Sequence, residues 1–387
     1  MSENYPFNVE KIKRSLLNFG ILKTILIVSF VFWIFVLYFN PYYLADLEMR
    51  WSDHLRHEWV SWLFLNVGFK VFNTPIEIFR SQVPSINPHP YWSIHPTIYP
   101  LGNILYFIPF GLLSNLGIIN DIAVHKLMMS SFLMGAHLSV YYFVKELKRI
   151  GYTFRLFLMI LITCLFYTHM VFWSLNGFYD VIAVLLIILS IKYYKEGSSL
   201  KSLVVLTGSF FLHYRSIFYL PFWIFVFVKV LSQYKDDIWS RFTHFNKFSL
   251  SFIWFLSVAS LDFYTVFLSF IDKTWETPTS WQPSIINIYS GSLDAQILLI
   301  TLSAIICFIL VKRKSYVTVS TILLCLVYML LAPQWAQWHH LFFFPALLLP
   351  SNKTSIEIVS FWLLITVFLT TGFTSPLQIL HLLQKMF

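Results

Sequence analysis

The chain has 387 residues, of which 58% are hydrophobic and 12% are charged, with a mean hydropathy of +0.69. Its apolar runs recur near the ~20-residue length that crosses a bilayer, which excludes a soluble domain and predicts an all-α, polytopic membrane protein. The formal charge of +9 lies in short Lys and Arg clusters between those runs. The positive-inside rule accounts for such clusters, so we predict no nucleic-acid partner.

The first predicted element is the apolar run from Ile21 to Phe39, which follows several basic residues. Because loops rich in Lys and Arg face the cytoplasm, we interpret this run as a membrane anchor with a cytoplasmic N-terminus. Later basic clusters should face the same side. They comprise Lys145, Lys148 and Arg149; Lys192, Lys195 and Lys201; Lys229, Lys235, Arg241 and Lys247; and Lys312, Arg313 and Lys314.

Two apolar runs, Tyr99 to Ile118 and Ile122 to Val144, precede the basic cluster that begins at Lys145. If both runs crossed the membrane, that cluster would lie outside the cytoplasm. The first run carries helix-breaking residues at Pro100, Gly102, Pro109 and Gly111. We therefore predict that it breaks as a spanning helix and forms a juxtamembrane or re-entrant helix, while the second run crosses.

Further apolar runs extend almost to the end of the chain, and together they predict about ten or eleven crossings in a single transmembrane domain over residues 1–387. We expect no soluble C-terminal domain. This threading brings residues 40–97, 174–180 and 271–292 to the non-cytoplasmic side, with Pro333 to His340 nearby. The further runs are 155–173, 180–196, 200–213, 215–231, 248–270, 293–311, 317–333, 340–350 and 355–373.

The first external loop, residues 40–97, contains a predicted amphipathic helix at about residues 50–72. Its apolar side carries Trp51, Leu55, Trp59, Trp62 and Phe69, and its polar side carries Arg50, Asp53, His54, His57 and Ser61. Such a helix lies in the membrane interface with its Trp side in lipid or protein. Asp53 can act there as a general base toward an acceptor hydroxyl. The alternatives are a solvated charged face, or one of the competing carboxylates Asp46 and Glu48 as the base.

Other chemistries find little support in this loop. His57-Glu58 begins like a zinc-protease motif, but HExxH requires histidine where Ser61 stands. His54 and His57 are spaced to share a metal, yet no Cys and no second spaced pair accompanies them. The chain has no GxSxG, P-loop or GxGxxG motif, so we predict no serine-hydrolase elbow and no nucleotide cofactor, and a divalent metal stays an alternative that these residues do not support.

Aromatic, proline and histidine residues are dense between His89 and Gly102, where His95 and Tyr99 lie. Rigid aromatic walls suit a sugar or polyprenyl pocket. They suit an interfacial aromatic belt equally well.

Two polar positions interrupt the later apolar runs. Asp180 follows an Asn-Gly turn at the start of a run, where it can act simply as a helix cap. His213 and Arg215 break another run, which ends in Leu220-Pro221. A buried arginine in a membrane span needs an anionic partner such as a phosphate, unless its side chain extends to the interface.

The order of these features is more specific than any one of them. It begins with an external acidic loop after the first span, which is followed by an aromatic-Pro segment and an N-G-x-x-D turn. A span that is interrupted by His and Arg and ends in Leu-Pro comes next, and a late Pro-Gln-Trp segment completes the order. This order, over most of residues 20–345, resembles the GT-C glycosyltransferases, integral membrane enzymes that use polyprenyl-phosphate sugars. The resemblance implies a GT-C-like helical fold.

The resemblance also implies site residues. An Asp on a juxtamembrane helix of the first external loop serves as base or acceptor-positioning residue, and Asp53 matches it best, with Asp46 as the alternative. Asp180 matches an acidic residue of the second external loop. The nearest matches to a basic group on the lipid phosphate are His213, Arg215, His339 and His340. The full set of candidate substrate-binding residues is Asp46, His54, His57, His95, Tyr99, Asp180, His213, Arg215, His339 and His340.

The function implied is transfer of one sugar, with inversion, from a polyprenyl-phosphate carrier to a lipid-linked or glycan acceptor on the non-cytoplasmic side. The membrane is expected to be a bacterial plasma membrane or the endoplasmic reticulum. No cofactor is required, because the leaving group is a lipid phosphate monoester. The alternatives are a transporter or flippase for a lipid-linked saccharide, and a noncatalytic subunit of a glycan-assembly complex. Clustering of the polar residues at one face, rather than at mid-depth, favours the enzyme.

Overall fold

The computed structural model describes residues 19–39, 53–72, 74–75, 78–79, 97, 99–149, 156–234, 316–322 and 341–349. These residues form helices and turns without a strand, which confirms the all-α prediction for this part of the chain. The helices are α1 (Phe19–Phe39), α2 (Asp53–Val67), α3 (Leu101–Asn115), α4 (Asp121–Arg149), α5 (Leu156–Leu175), α6 (Asp180–Lys195), α7 (Ser199–Leu212) and α8 (Leu220–Tyr234). Short 3₁₀ helices lie at Gly68–Phe72, Tyr214–Tyr219 and Phe344–Leu348.

Three helical segments of the described residues are long and apolar enough to cross a membrane, namely Gly20–Phe39, Ile122–Arg149 and Arg215–Gln233. Each overlaps a predicted span. The helices α5, α6 and α7 coincide with the predicted runs 155–173, 180–196 and 200–213. The total of about ten or eleven crossings remains a prediction, since the runs 248–270, 293–311 and 355–373 lie outside the described residues.

Helices α1 and α4 run antiparallel, as paired contacts along them show. The Lys126 ammonium donates to the Tyr38 carbonyl at 3.0 Å, and the Ser29 hydroxyl contacts His137 Nε2 at 3.1 Å. Ser29 also hydrogen-bonds the Tyr167 hydroxyl, which extends the contact to α5. In a membrane, the apolar surface of a helix packs against lipid as well as against another helix. Interhelical hydrogen bonds of this kind therefore fix the register of the helices.

Helices α6 and α7 are also antiparallel. The Ser209 hydroxyl donates to the Ala183 carbonyl at 3.0 Å near one end, and Ser190 and Ser202 pair at the same distance nearer the other. Helix α6 begins at Asp180 and ends at Lys195, about 22 Å away at 1.5 Å per residue.

The end of the bundle at Lys195 is basic. The Arg149 guanidinium donates to the Lys195 carbonyl at 3.3 Å, and the Lys195 ammonium lies 3.9 Å from Glu146. Lys192 pairs with Glu196 at 2.9 Å. The Lys229 ammonium of α8 lies 3.5 Å from the Tyr194 hydroxyl of α6, so members of three predicted basic clusters lie at the end of the bundle opposite Asp180.

Two of the predicted helix-breaking residues do not interrupt the run from Tyr99 to Ile118. Helix α3 continues through Pro109 and Gly111. Its glycines instead permit close packing, since a Cβ at Gly111 would lie 2.8 Å from the Glu58 carbonyl oxygen of α2. At 15 residues α3 is about 22 Å long, shorter than the ~30 Å hydrocarbon core. Its assignment as a juxtamembrane or re-entrant helix remains a prediction.

The predicted run 340–350, one of the short runs expected to be broken or strongly tilted, is not a continuous α-helix in its described part. Residues 341–349 form turns and the 3₁₀ helix Phe344–Leu348, whose second residue, Pro345, has no N–H with which to continue a preceding helix. Phe342 and Phe344 are fully buried in the core of the bundle. Residues 341–349 therefore fill the interior of the bundle and are here called the plug. Of the predicted run 317–333, the structure describes a helical part at 316–322.

Replacing Gly102 by alanine is expected to lower thermal stability, because its Cβ would lie 2.7 Å from the Phe211 carbonyl carbon of α7. Overpacking of this kind costs about 1–3 kcal/mol. The matched control is Gly208→Ala, also within a helix, where the Cβ meets Leu186 at an ordinary 4.0 Å. That change should be neutral or stabilising by up to ~1 kcal/mol. Melting curves of the two purified variants that show equal stability would contradict the close α3–α7 contact.

Candidate functional site

Three polar side chains meet at the end of the bundle opposite the basic one, and together they are called the Asp180 cluster. His213 Nε2 lies 3.1 Å from Asp180 Oδ1, and Arg215 Nη1 lies 3.4 Å from the same oxygen. Asp180 is the first residue of α6, and His213 and Arg215 follow the end of α7. The antiparallel packing of α6 and α7 therefore joins residues that are 35 positions apart.

The hydrogen bonds of His213 determine its tautomer. Its Nδ1 accepts the backbone N–H of Arg215 at 3.1 Å, and a backbone N–H can only donate. The ring proton therefore resides on Nε2, which donates to Asp180. Arg215 Nη1 approaches Nε2 at 3.3 Å, but both atoms are donors, so this contact is not a hydrogen bond. The cluster is one carboxylate, one guanidinium and one neutral imidazole.

The three members differ in their exposure. The side chains of Asp180 and His213 are 2% and 1% exposed, whereas that of Arg215 is 12% exposed. Arg215 therefore lies at the rim of the cluster.

The structure resolves two alternatives left by the sequence. The N-cap of α6 is Tyr179, without a side-chain cap hydrogen bond, and the Asp180 carboxylate instead contacts His213 and Arg215. The anionic partner of Arg215 is a side chain of the same protein, so the guanidinium need not extend to the interface. A carboxylate at a helix N-terminus is also favoured by the helix dipole.

A group of aromatic rings, here called the His57 cage, connects α2 to the Asp180 cluster. The His57 ring centroid lies 4.2 Å from that of Tyr99, 4.8 Å from that of Phe107 and 4.9 Å from that of Tyr179. The Tyr179 ring lies 5.1 Å from that of His213. His57 is 3% exposed. The cage thus joins the external-loop helix to the residues around Asp180.

The plug covers the Asp180 cluster from another side. The Phe342 ring centroid lies 5.1 Å from that of His213. The Tyr219 hydroxyl donates to the Phe342 carbonyl at 2.8 Å and holds the plug beside the 3₁₀ helix that carries Arg215. The surroundings of the carboxylate are therefore aromatic and largely dry.

The structure brings together five of the candidate site residues, namely His57, Tyr99, Asp180, His213 and Arg215. The described part of helix α2, which was predicted at about residues 50–72, starts at Asp53, one turn before His57, and the Asp53 and His54 side chains lie outside the described residues. Asp46, His95, His339 and His340 also lie outside them, so their roles remain predictions.

The interpretation of the α2 polar side as a solvated face is wrong at both of its described positions, since His57 and Ser61 are buried. The Ser61 hydroxyl contacts the Ile104 carbonyl oxygen of α3 at 3.0 Å. Trp59, on the predicted apolar side, is buried as well. Helix α2 is packed into protein over this stretch because α3 and the His57 cage cover its polar side.

Sequence reasoning missed one buried pair next to this site. Glu58 Oε2 lies 3.2 Å from His125 Nε2, and the Glu58 side chain is fully buried. The residues are 67 positions apart, and no spacing motif links them. The sequence feature that could have indicated this pair is the charge of Glu58 next to the apolar side of the helix.

Within the part of the chain that the structure describes, no group of three or more His, Cys, Asp or Glu side chains is placed to hold a metal ion. Comparison of the chain with protein-family models, curated proteins and solved structures finds no match. The function must therefore be argued from the residues themselves.

Proposed function

We propose that this protein is a polytopic membrane glycosyltransferase of the GT-C type. It moves one sugar from a polyprenyl-phosphate carrier to a lipid-linked or glycan acceptor on the non-cytoplasmic side of a bacterial plasma membrane or the endoplasmic reticulum. The observation that carries the proposal is the Asp180 cluster, a buried carboxylate with a rim-exposed arginine at the end of the bundle away from the basic residues. Basic ends face the cytoplasm, so the opposite end faces the other side.

The proposed reaction is a single displacement. The acceptor hydroxyl oxygen attacks the anomeric carbon, and the bond from that carbon to the phosphate oxygen breaks with its electron pair going to the lipid phosphate. The acceptor proton passes to the Asp53 carboxylate, and the anomeric configuration inverts. A positioned carboxylate is a suitable general base for this step.

Within this reaction Arg215 receives the leaving phosphate. It is the most exposed member of the Asp180 cluster, and guanidinium N–H groups match phosphate oxygens well. His213 and Asp180 act as positioning residues, because the His213 proton faces Asp180 and both side chains are buried. Charge-stabilising donors held in a dry site are more effective than the same donors in water.

The class is tested by transfer of radiolabelled sugar from defined polyprenyl phosphates, using purified protein in liposomes supplied with a membrane extract as acceptor source. We expect transfer by the wild type, loss of about 100-fold in Arg215→Gln, and a smaller loss in Arg215→Lys. Arg149→Gln removes an exposed arginine at the basic end and should retain activity.

Each alternative class predicts a different result in this assay. Transbilayer movement of a labelled lipid-linked saccharide, without transfer from any donor, would favour a flippase. Absence of both activities with the extract present, and transfer restored when a second purified membrane protein is added, would favour a noncatalytic subunit. Equal transfer by wild type and Arg215→Gln would remove Arg215 from the mechanism.

A further inference from the structure

We propose that Glu58 and His125 are positioning residues that fix α2 against α4, and with it the proposed base Asp53. Glu58 Oε2 lies 3.2 Å from His125 Nε2. The Glu58 side chain is 0% exposed and that of His125 is 15% exposed. The inference rests on the proposed function for its catalytic consequence, but its structural part can be tested separately.

The burial of Glu58 is costly for the fold. A carboxyl group removed from water is stabilised only by its partners, and Glu58 Oε1 has none among the described residues. An apolar residue at position 58 would avoid this cost. The pair adds a directional link between α2 and α4 that an apolar residue would not provide.

Three neighbouring positions hold α2 in three directions. His57 contacts the rings of its cage, Glu58 reaches His125 on α4, and the Ser61 hydroxyl contacts the Ile104 carbonyl of α3. Contacts to three different elements fix both the rotation of a helix about its axis and its translation. Releasing one of them allows α2 to move relative to the Asp180 cluster.

Such movement matters because Asp53 is the first residue of α2. Proton transfer requires the base within hydrogen-bond reach of the acceptor hydroxyl. A misplacement of about 1 Å by a substitution away from the reacting atoms can cost on the order of 100-fold in rate. The donor lipid phosphate is held at Arg215, on another element, so donor binding should be unaffected.

The test compares Glu58→Ala, His125→Leu and the conservative His125→Gln, which keeps a hydrogen-bond donor, in the full-length protein. Hydrogen–deuterium exchange at the α2 amides should rise about tenfold in Glu58→Ala and His125→Leu, while exchange in α6 stays unchanged. In transfer assays kcat per folded molecule should fall about tenfold, with the donor KM unchanged. His125→Gln should recover most of both. Lys126→Gln is the matched control, because Lys126 follows His125 but bonds α1.

The two readouts separate the two ideas. Absence of transfer by the wild type would count against the proposed function, and α2 exchange would still decide on the Glu58–His125 link. Unchanged α2 exchange in Glu58→Ala would overturn that link. Raised exchange with an unchanged kcat would show that α2 does not position the base. Equal effects of His125→Gln and His125→Leu would exclude the hydrogen bond as the cause.

Discussion

Replacing Asp180 by asparagine is expected to destabilise the protein by about 3 kcal/mol and to abolish sugar transfer. Asparagine has nearly the same shape, and its carbonyl can still accept the His213 Nε2 proton. The negative charge is lost, however, and Arg215 loses its ion pair with Asp180 in a largely buried site. Breaking one partner of a buried ion pair is far more costly than breaking an exposed one.

The double variant Asp180→Asn/Arg215→Gln makes this prediction specific. It removes both charges, so the melting temperature should recover toward the wild-type value while transfer stays absent. The control is Glu196→Gln at the basic end, where the hydrogen bond from Lys192 lowers the pKa of an exposed carboxyl. That change should affect stability little. If Asp180→Asn alone melts like the wild type, the ion pair does not stabilise the fold.

Replacing Asp53 by asparagine should lower kcat for transfer by about 10²- to 10⁴-fold, the range that general-base catalysis contributes. The change removes the proton acceptor but keeps a residue that is well tolerated at a helix start. Melting temperature and α2 hydrogen exchange should therefore remain near wild type. Separate rate and stability measurements on the same preparation check this.

The matched variant for Asp53→Asn is Asp46→Asn, which removes the competing carboxylate of the same loop. The pattern expected is a large loss for Asp53→Asn and a small one for Asp46→Asn. The reverse pattern would transfer the role of base to Asp46. Unchanged transfer in both variants would exclude Asp46 and Asp53 as the base.

The elements that could be predicted from the sequence are those decided by local pattern. The apolar run Ile21 to Phe39 became α1, and the amphipathic stretch after Asp53 became α2 and the 3₁₀ helix Gly68–Phe72. The helix-breaking tendency of glycine does not predict what the glycines in α3 do. Gly102 and Gly111 are decided by what another helix brings against them, and that information is not local.

The same reason limits prediction of the site. Asp180 and Arg215 were each recognised as unusual, but their pairing depends on how α6 and α7 pack. The pairing of Glu58 with His125 is harder still to predict, because the two residues lie on different helices and no sequence motif links them. The plug at 341–349 looked like a short apolar span because composition alone does not distinguish lipid from a protein interior.

The hydrogen bond from Tyr219 to Phe342 has a consequence for biosynthesis. It joins residues 123 positions apart, so the nascent chain inserts the helices that carry Asp180 and Arg215 well before the residues that cover them. At roughly 5–20 residues per second, the interval is about 6 to 25 s. During that time Asp180 and Arg215 have been made, whereas Phe342, whose ring packs against His213, has not. The surroundings of the Asp180 cluster are therefore completed in two steps, and the second depends on residues made long after the first.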